Sequence, residues 1–186
     1  AQYEALRDRA VIDGGGDAIS VNLAAPVTGG DDASVRTCAE FDALSEKGWY
    51  ALSGADMRRE EYFDRACGAL AFLVKAKPAQ ETHFTGGKAS LEDIRSMAMA
   101  EATGFGEAEP AAAVDVSEME DRVWKVEIGQ GETMIYEIAH ADFNGDGLGE
   151  ILAYVSVGSA GGTARTGSIG LLEKASDGGA CVFKAR

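Results

Sequence analysis

Apolar residues recur at helical spacing in three segments of the first half of the chain. Two inward faces are formed by Val35, Cys38, Phe41 and Leu44 in the first segment, and by Phe63, Cys67, Leu70 and Val74 in the second. This spacing predicts amphipathic helices, the first two joined as a hairpin by a short link. Pro78 ends the second helix because proline cannot continue one, and Ser90 with Asp93 provides a start signal for the third.

The period changes in the second half of the chain, where apolar and polar residues alternate as they do in β-strands. The sequence DRVWKVEIGQGETMIYEIAH, residues 121–140, predicts two strands joined by a turn at GQGE. EILAYVSVG and SIGLLEK predict two further strands, and CVFK predicts a fifth. Consecutive strands joined by short turns favour an antiparallel meander.

These elements predict the α+β fold class, with an N-terminal helical hairpin and a further helix packed on a C-terminal antiparallel β-meander of four to five strands. With 186 residues, the chain fits a single domain over 1–186. Its mainly helical part is 1–110 and its sheet part is 121–186. The acidic, alanine-rich stretch GEAEPAAAVDVSEMED is interpreted as a connector.

The composition restricts the classes of partner. The chain has 31 acidic and 17 basic side chains, and its formal net charge is −14. Such a charge repels nucleic acids and anionic membrane surfaces, and it favours cations. No stretch approaches the ~18 consecutive apolar residues of a membrane span. The partner is therefore expected to be an unknown protein or small ligand. The sequence does not determine the oligomeric state.

The cysteines and the N-terminus indicate the compartment. Cys38 and Cys67 face inward on the two predicted helices of the hairpin, so a disulfide between them is geometrically natural. Closing a loop of about 30 residues would stabilise the fold by about 3–4 kcal/mol. The alternative is two buried free thiols in a reducing cell. The disulfide is favoured, and Cys181 is predicted to be a buried single thiol. The N-terminus fits a chain after signal-peptide removal or a trimmed one, so we expect a periplasmic or secreted protein.

The segment ADFNGDGLGE, residues 141–150, has the spacing of a cation-binding loop. Asp142, Asn144 and Asp146 occupy positions one, three and five, the Leu148 carbonyl falls at seven, and Glu150 at nine. Alternate oxygen donors can converge on calcium when the backbone curls tightly, and glycines permit the positive φ angles of such a curl. A helix–loop–helix calcium site is excluded, because it needs a glutamate at position twelve and the flanks here are strand-like.

This loop resembles the aspartate-rich loop of FG-GAP and VCBS-type repeats, in which D-x-[DN]-x-D-G-x-x-D leads into a strand. It is also similar to a segment of small bacterial envelope proteins, where such a loop precedes a strand and a glycine-rich turn, here SVGSAGGTARTGS. The resemblance covers about residues 136–174 and implies four side-chain ligands: Asp142, Asn144, Asp146 and Glu150. Position nine is Glu where Asp is usual, and the single copy excludes a propeller, which needs about four or more blades.

The alternative interpretation of the loop is a polar turn between two strands, since Asn-Gly and Asp-Gly are frequent turn formers. Extracellular calcium sites of this kind often have dissociation constants of about 10⁻⁴–10⁻³ M. At ~1 mM calcium this range corresponds to about 0.4–1.4 kcal/mol of stabilisation. The predicted calcium ion is therefore a weak structural brace, because a site closed by protein oxygens leaves little room for a substrate.

A second candidate is the glycine-rich loop GSAGGTARTG, residues 158–167. Backbone N–H groups of Gly161 and Gly162, together with the positive charge of Arg165, could bind an anion or a partner. The loop lacks the spacing of a phosphate loop, and a hairpin tip is the favoured alternative.

Two functions from different classes remain open. The favoured one is a non-catalytic extracytoplasmic module that binds an unknown partner or ligand, with calcium as an optional brace. The alternative is a hydrolase that uses the acidic loop and the adjacent His140. The motifs G-x-S-x-G, H-E-x-x-H and C-x-x-C do not occur in the sequence, which favours the non-catalytic interpretation.

Overall fold

The structure, a computed structural model, describes residues 3–27, 30–104, 113–159, 161–162 and 165–186. In this described part, three α-helices and two antiparallel sheets confirm a mixed α+β fold. The chain divides into two compact units, residues 1–74 and 75–186, and the single domain over 1–186 stays a prediction. Among the described residues, no helix combines the length and apolarity needed to cross a membrane.

The first unit combines a two-stranded antiparallel sheet with two helices. Its elements are β1 (Val21–Ala24), β2 (Asp32–Val35), α1 (Cys38–Ser45) and α2 (Gly54–Lys75), after a short 3₁₀ helix at Glu4–Leu6. Helix α1 begins with a capping box, in which Thr37 Oγ1 accepts from Glu40 N and the Glu40 carboxylate accepts from Thr37 N. The predicted helical hairpin is not matched in detail, because Val35 belongs to β2 and the first helix is correspondingly shorter.

The Cys38–Cys67 disulfide is confirmed and lies in the core of the first unit. Both cysteines are buried, and their Cα atoms are 5.1 Å apart. They belong to one apolar cluster with Phe41 and Phe63, whose ring centroids are 5.3 Å apart. The bridge thus ties the start of α1 to the interior of α2 across a separation of 29 residues.

The second unit contains a six-stranded antiparallel sheet in which sequential strands are neighbours. Its strands are β3 (Val114–Glu120), β4 (Val123–Ile128), β5 (Gly131–Ala141), β6 (Glu150–Ser159), β7 (Arg165–Lys174) and β8 (Cys181–Ala185). The predicted count of four to five strands is wrong, because β3 falls in the segment interpreted as a connector. Acidic side chains interrupt the apolar alternation of Val114 and Val116 there, and residues 106–112 of that segment lie outside the described residues.

One face of this sheet packs against α3 (Leu91–Gly104). Ile94, Met97 and Ala98 of the helix are buried against apolar sheet residues, namely Val116, Trp124, Val126, Ile135, Ile151, Ala153, Val155, Leu172 and Cys181. Strand alternation selects these positions, since every second residue of a strand faces the same side. The third predicted helix therefore belongs to the same unit as the sheet.

A buried ion pair fastens α3 to the sheet. Lys174 Nζ on β7 lies 2.7 Å from Asp93 Oδ1, and the two side chains are 8% and 9% exposed. Asp93 Oδ2 accepts from both the backbone N and the Oγ of Ser90, at the predicted start of the helix. Burial acts to raise the pKa of Asp93, but the hydrogen bonds from Lys174 and Ser90 outweigh it, so the pKa is lowered.

Cys181 at the start of β8 is unbridged and buried, as predicted. Burial raises the pKa of its thiol to about 12. A thiol with this pKa is protonated at neutral pH and is a poor nucleophile, so Cys181 has the properties of a core residue.

Candidate metal centre

The candidate loop connects β5 to β6 in the second unit. Strand β5 ends at Ala141 and β6 begins at Glu150. Between them, Gly145 and Gly147 have φ angles of +89° and +91°, in the left-handed region that favours glycine. These two residues give the backbone the tight curl that the alternating donors require.

Three carboxylates converge within this curl. One oxygen from each of Asp142, Asp146 and Glu150 lies within 4.8 Å of the other two. Two oxygens that bind one calcium ion at 2.3–2.6 Å can be at most about 5 Å apart, so this separation suits a shared ion. Asp142 and Glu150 are 4% and 3% exposed, whereas Asp146 is exposed. The cluster therefore has two buried carboxylates and is open to solvent at Asp146.

Backbone N–H groups hold the two buried carboxylates in place. The Asp142 carboxylate accepts from Gly145 N at 2.6 Å and from Gly147 N at 3.1 Å. Glu150 Oε2 accepts from Phe143 N at 2.8 Å. Each carboxylate oxygen has a second lone pair, so these bonds orient the groups without using all of their acceptor capacity.

Asn144 lies at the cluster with its amide nitrogen toward the carboxylates. Its Nδ2 donates to Asp146 Oδ2 at 3.1 Å and to Glu150 Oε1 at 3.3 Å. Its Oδ1 instead accepts from Asp146 N at 2.9 Å. The amide would have to turn for Asn144 to become the predicted ligand. The Leu148 N–H donates to Asp146 Oδ1 at 2.8 Å, and the Leu148 carbonyl stays a predicted ligand.

The cluster carries negative charge that nearby lysines offset only in part: the pKa of Lys184 is raised mainly by its hydrogen bond to Glu173, and the charges of Asp146 and Glu150 add to the rise. Within the described residues, no ion pair joins a lysine, arginine or histidine to any of the three carboxylates. Lys77 Nζ lies 3.9 Å from the position that a Cβ on Gly145 would take, so one ammonium group is at the rim of the loop. Burial raises the pKa of Glu150, and the charges of Asp146 and Asp142 add to the rise. A cation between the carboxylates would relieve both effects.

The segment that follows α2, residues 77–81, is hydrogen-bonded to the backbone of the loop and forms a wall along it. Lys77 exchanges two hydrogen bonds with Asp142, of 2.9 and 3.0 Å. Glu81 N donates to Gly147 O at 3.2 Å, and Glu81 O accepts from Gly149 N at 2.8 Å. Sequence reasoning missed this wall, because the pairing joins segments far apart in the chain and no local motif marks it.

His140 lies near the end of β5, beside the loop. Its Nε2 lies 2.9 Å from Thr82 Oγ1. A Cβ added to Gly149 would come within 2.5 Å of the ring and collide with it, and one added to Gly87 would lie at a tight 3.1 Å. Burial and the positive charge of Arg122 lower the pKa of His140. Among the described residues, no hydrogen bond or ion pair links His140 to the acidic cluster, and the hydrolase alternative stays a prediction.

The glycine-rich hairpin tip is only partly described, since residues 160, 163 and 164 lie outside the described residues. Gly161 has a φ of +73°, and Gly162 follows it in the tip. Arg165 Nη1 pairs with Glu132 Oε1 at 2.5 Å, while its Nε and Nη2 donate to Ser156. The guanidinium is therefore engaged by the sheet, and the anion-binding role stays a prediction.

Glu137 on β5 is a buried carboxylate that sequence reasoning did not single out. Its Oε1 accepts from Trp124 Nε1 at 2.8 Å and from Ala89 N at 3.3 Å. Its Oε2 lies 3.5 Å from Arg122 Nη1 and has no hydrogen bond. Burial raises the pKa of Glu137, although these partners oppose the rise. The available sequence signal is its position two residues after Ile135, on the buried face of the strand.

We expect Glu137→Gln to alter the pH dependence of stability. Glutamine keeps an acceptor for Trp124 and Ala89 but does not ionise. Since the folded-state pKa of Glu137 is raised, its contribution to the free energy of unfolding is fully present below the unfolded pKa and is lost as pH rises through the folded pKa. In urea denaturation from acidic to neutral pH, the variant should therefore gain stability relative to wild type. The exposed Glu118→Gln is the control, and an equal pH profile for both variants would contradict this role.

Comparison with protein-family models, with curated proteins and with solved structures found no match to this chain. The resemblance to calcium-loop repeats therefore stays a prediction, and the site is judged by its own geometry. Its donors are carboxylate oxygens, which suit hard cations such as calcium and magnesium.

Proposed function

We propose that this chain is a non-catalytic extracytoplasmic module, periplasmic or secreted, whose loop between β5 and β6 binds calcium as a weak structural brace. The observation that carries the proposal is the convergence of three carboxylates, two of them buried, within 4.8 Å. The disulfide of the first unit supports an oxidising compartment. The partner of the module is an unidentified protein or small ligand.

Electrostatics supports a bound cation. Buried carboxylates in close proximity repel one another, and removal from water increases the energy of their charged forms. A divalent ion replaces that repulsion with attraction at each oxygen. Calcium accepts irregular oxygen coordination more readily than magnesium, which requires near-octahedral geometry at shorter distances. We therefore favour calcium for a loop with donors from several backbone positions.

The brace function follows from the position of the ligands. Asp142 follows the last residue of β5, and Glu150 is the first residue of β6. An ion shared by these two residues would hold the strand ends together across the loop. Asp142 also pairs with Lys77 in the segment after α2, so the same ion would stabilise that wall. The resemblance to FG-GAP and VCBS-type loops agrees with this structural function.

A calcium titration followed by urea unfolding tests the proposal on wild type, Asp146→Asn and Asp115→Asn. Asp146 is the exposed member of the cluster, so its replacement disturbs the core less than loss of Asp142 or Glu150 would. Asp115, an exposed carboxylate on β3, provides the same change of charge outside the loop. We expect ~1 mM calcium to raise the free energy of unfolding of wild type and Asp115→Asn by about 0.4–1.4 kcal/mol, and that of Asp146→Asn by less. Wild type that does not respond to calcium would refute the proposal.

A further inference from the structure

Asn144 and Gly145 form a dipeptide suited to intramolecular deamidation. In this reaction the backbone nitrogen of the following residue attacks the side-chain carbonyl carbon of asparagine, and glycine hinders the attack least because it has no side chain. The chain contains two asparagines, Asn22 and Asn144. Asn144 is exposed in the loop, whereas Asn22 precedes Leu23 within β1.

The hydrogen bonds around Asn144 match the needs of this reaction. The attacking nitrogen, Gly145 N, donates its proton to Asp142 Oδ1 at 2.6 Å. The carbonyl oxygen, Asn144 Oδ1, accepts from Asp146 N at 2.9 Å, a donor that would stabilise negative charge on this oxygen. The leaving nitrogen, Nδ2, is held by Asp146 Oδ2 and Glu150 Oε1. Each reacting atom therefore already has a polar partner.

Asn22 has different surroundings. Its backbone N and its Nδ2 both donate to Asp56 Oδ1, at 3.3 and 3.4 Å. Its carbonyl carbon would have to be attacked by the nitrogen of Leu23, whose side chain is fully buried and whose backbone belongs to the paired strand β1. Asn22 thus serves as an internal control, because it lies in a paired strand and is not followed by glycine.

We propose that Asn144 is a site of spontaneous deamidation in this protein. Gly145 N loses its proton to Asp142 and forms a bond to Asn144 Cγ, while the Cγ–Nδ2 bond breaks. Solvent returns the proton from Asp142 to Nδ2 of the exposed Asn144, and Nδ2 leaves as ammonia. This step closes a five-membered succinimide and restores the Asp142 carboxylate. Water then opens the ring and yields either aspartate or isoaspartate at position 144.

Either product changes the loop. Aspartate places a fourth carboxylate where an amide nitrogen now bridges Asp146 and Glu150, so the bridge is replaced by repulsion. Isoaspartate also adds one carbon to the backbone and disrupts the alternate spacing of the donors. A calcium ion in the loop would bind Asp142 and slow the deamidation. This expectation rests on the proposed function.

The test is incubation of the full chain in mildly alkaline buffer, followed by peptide mapping with mass spectrometry and isoaspartate detection. We expect conversion of amide to acid in the peptide that contains Asn144 before any conversion is detectable at Asn22, and none at position 144 in Asn144→Gln, whose longer side chain disfavours the ring. An intact Asn144, or equal conversion at Asn22, would overturn the proposal. Millimolar calcium should slow the conversion; a rate unchanged by calcium would count against the ion in the loop, while the contrast with Asn22 would still support deamidation.

Discussion

Lys174→Met should lower the free energy of unfolding by about 3–5 kcal/mol, because it leaves the buried Asp93 carboxylate without its counterion. The Asp93 side chain is 9% exposed, and Lys174 Nζ is bound to it at 2.7 Å. Ser90 would still donate to the carboxylate, but two neutral donors do not replace an ammonium group. Urea denaturation at neutral pH measures the loss.

The matched control is Lys184→Met on β8. Lys184 pairs with Glu173 at 2.5 Å, but its side chain is 64% exposed, so we expect a loss of about 0–1 kcal/mol. Because the folded-state pKa of Asp93 is lowered, the stability from this carboxylate is present above the unfolded pKa and is lost as pH falls through the folded pKa. The deficit of Lys174→Met should thus narrow in acid. Equal losses for the two lysine variants at neutral pH would show that burial of the pair is not important.

Reduction of the Cys38–Cys67 disulfide should lower the free energy of unfolding by about 3–4 kcal/mol, since it releases a loop of about 30 residues in the unfolded chain. The bridge is buried beside Phe41 and Phe63, so reduction also leaves two thiols in a close-packed core. Urea unfolding with and without a thiol reductant measures the difference.

The double variant Cys38→Ala/Cys67→Ala is the control for the reductant itself. It should be destabilised relative to oxidised wild type and should not respond further to reductant, because Cys181 is unbridged. A reductant effect that persists in the double variant would assign the loss to another cause. Complete reduction of wild type without any loss of stability would contradict the structural role of the bridge.

Local patterns predicted most elements of the fold. The strands β4 and β5 follow from strict alternation and the GQGE turn, and Gly129 in that turn has a φ of +59°. The start of α3 follows from Ser90 and Asp93, whose reciprocal hydrogen bonds are present. In each case, the residues that determine the element lie within a few positions of one another.

Elements that depend on distant partners could not be predicted. Strand β3 contains three acidic side chains, and pairing with β4 rather than its own pattern makes it a strand. Strand β2 is short and pairs with β1, which removes Val35 from the predicted helix. The Lys174–Asp93 pair joins β7 to α3, which are far apart in the chain, and no local pattern indicates that they are in contact.

The candidate loop shows the same division between local and distant effects. Spacing and glycines predicted that Asp142, Asp146 and Glu150 converge, and one oxygen from each lies within 4.8 Å of the other two. Spacing could not determine that the Asn144 amide nitrogen faces the carboxylates, because that orientation depends on the hydrogen bonds that its neighbours offer. Nor could it find Lys77, which pairs with the loop from the segment after α2.

A calcium titration of the ¹⁵N-labelled chain, followed by amide NMR, tests the metal loop most directly. Gly145 N, Gly147 N and Leu148 N donate to the carboxylates of Asp142 and Asp146, so an ion between those groups must change their chemical shifts. We predict saturable shifts at these three amides with one calcium ion per chain, and weaker binding in Asp146→Asn. Amide signals that remain in place up to several millimolar calcium would contradict the metal loop.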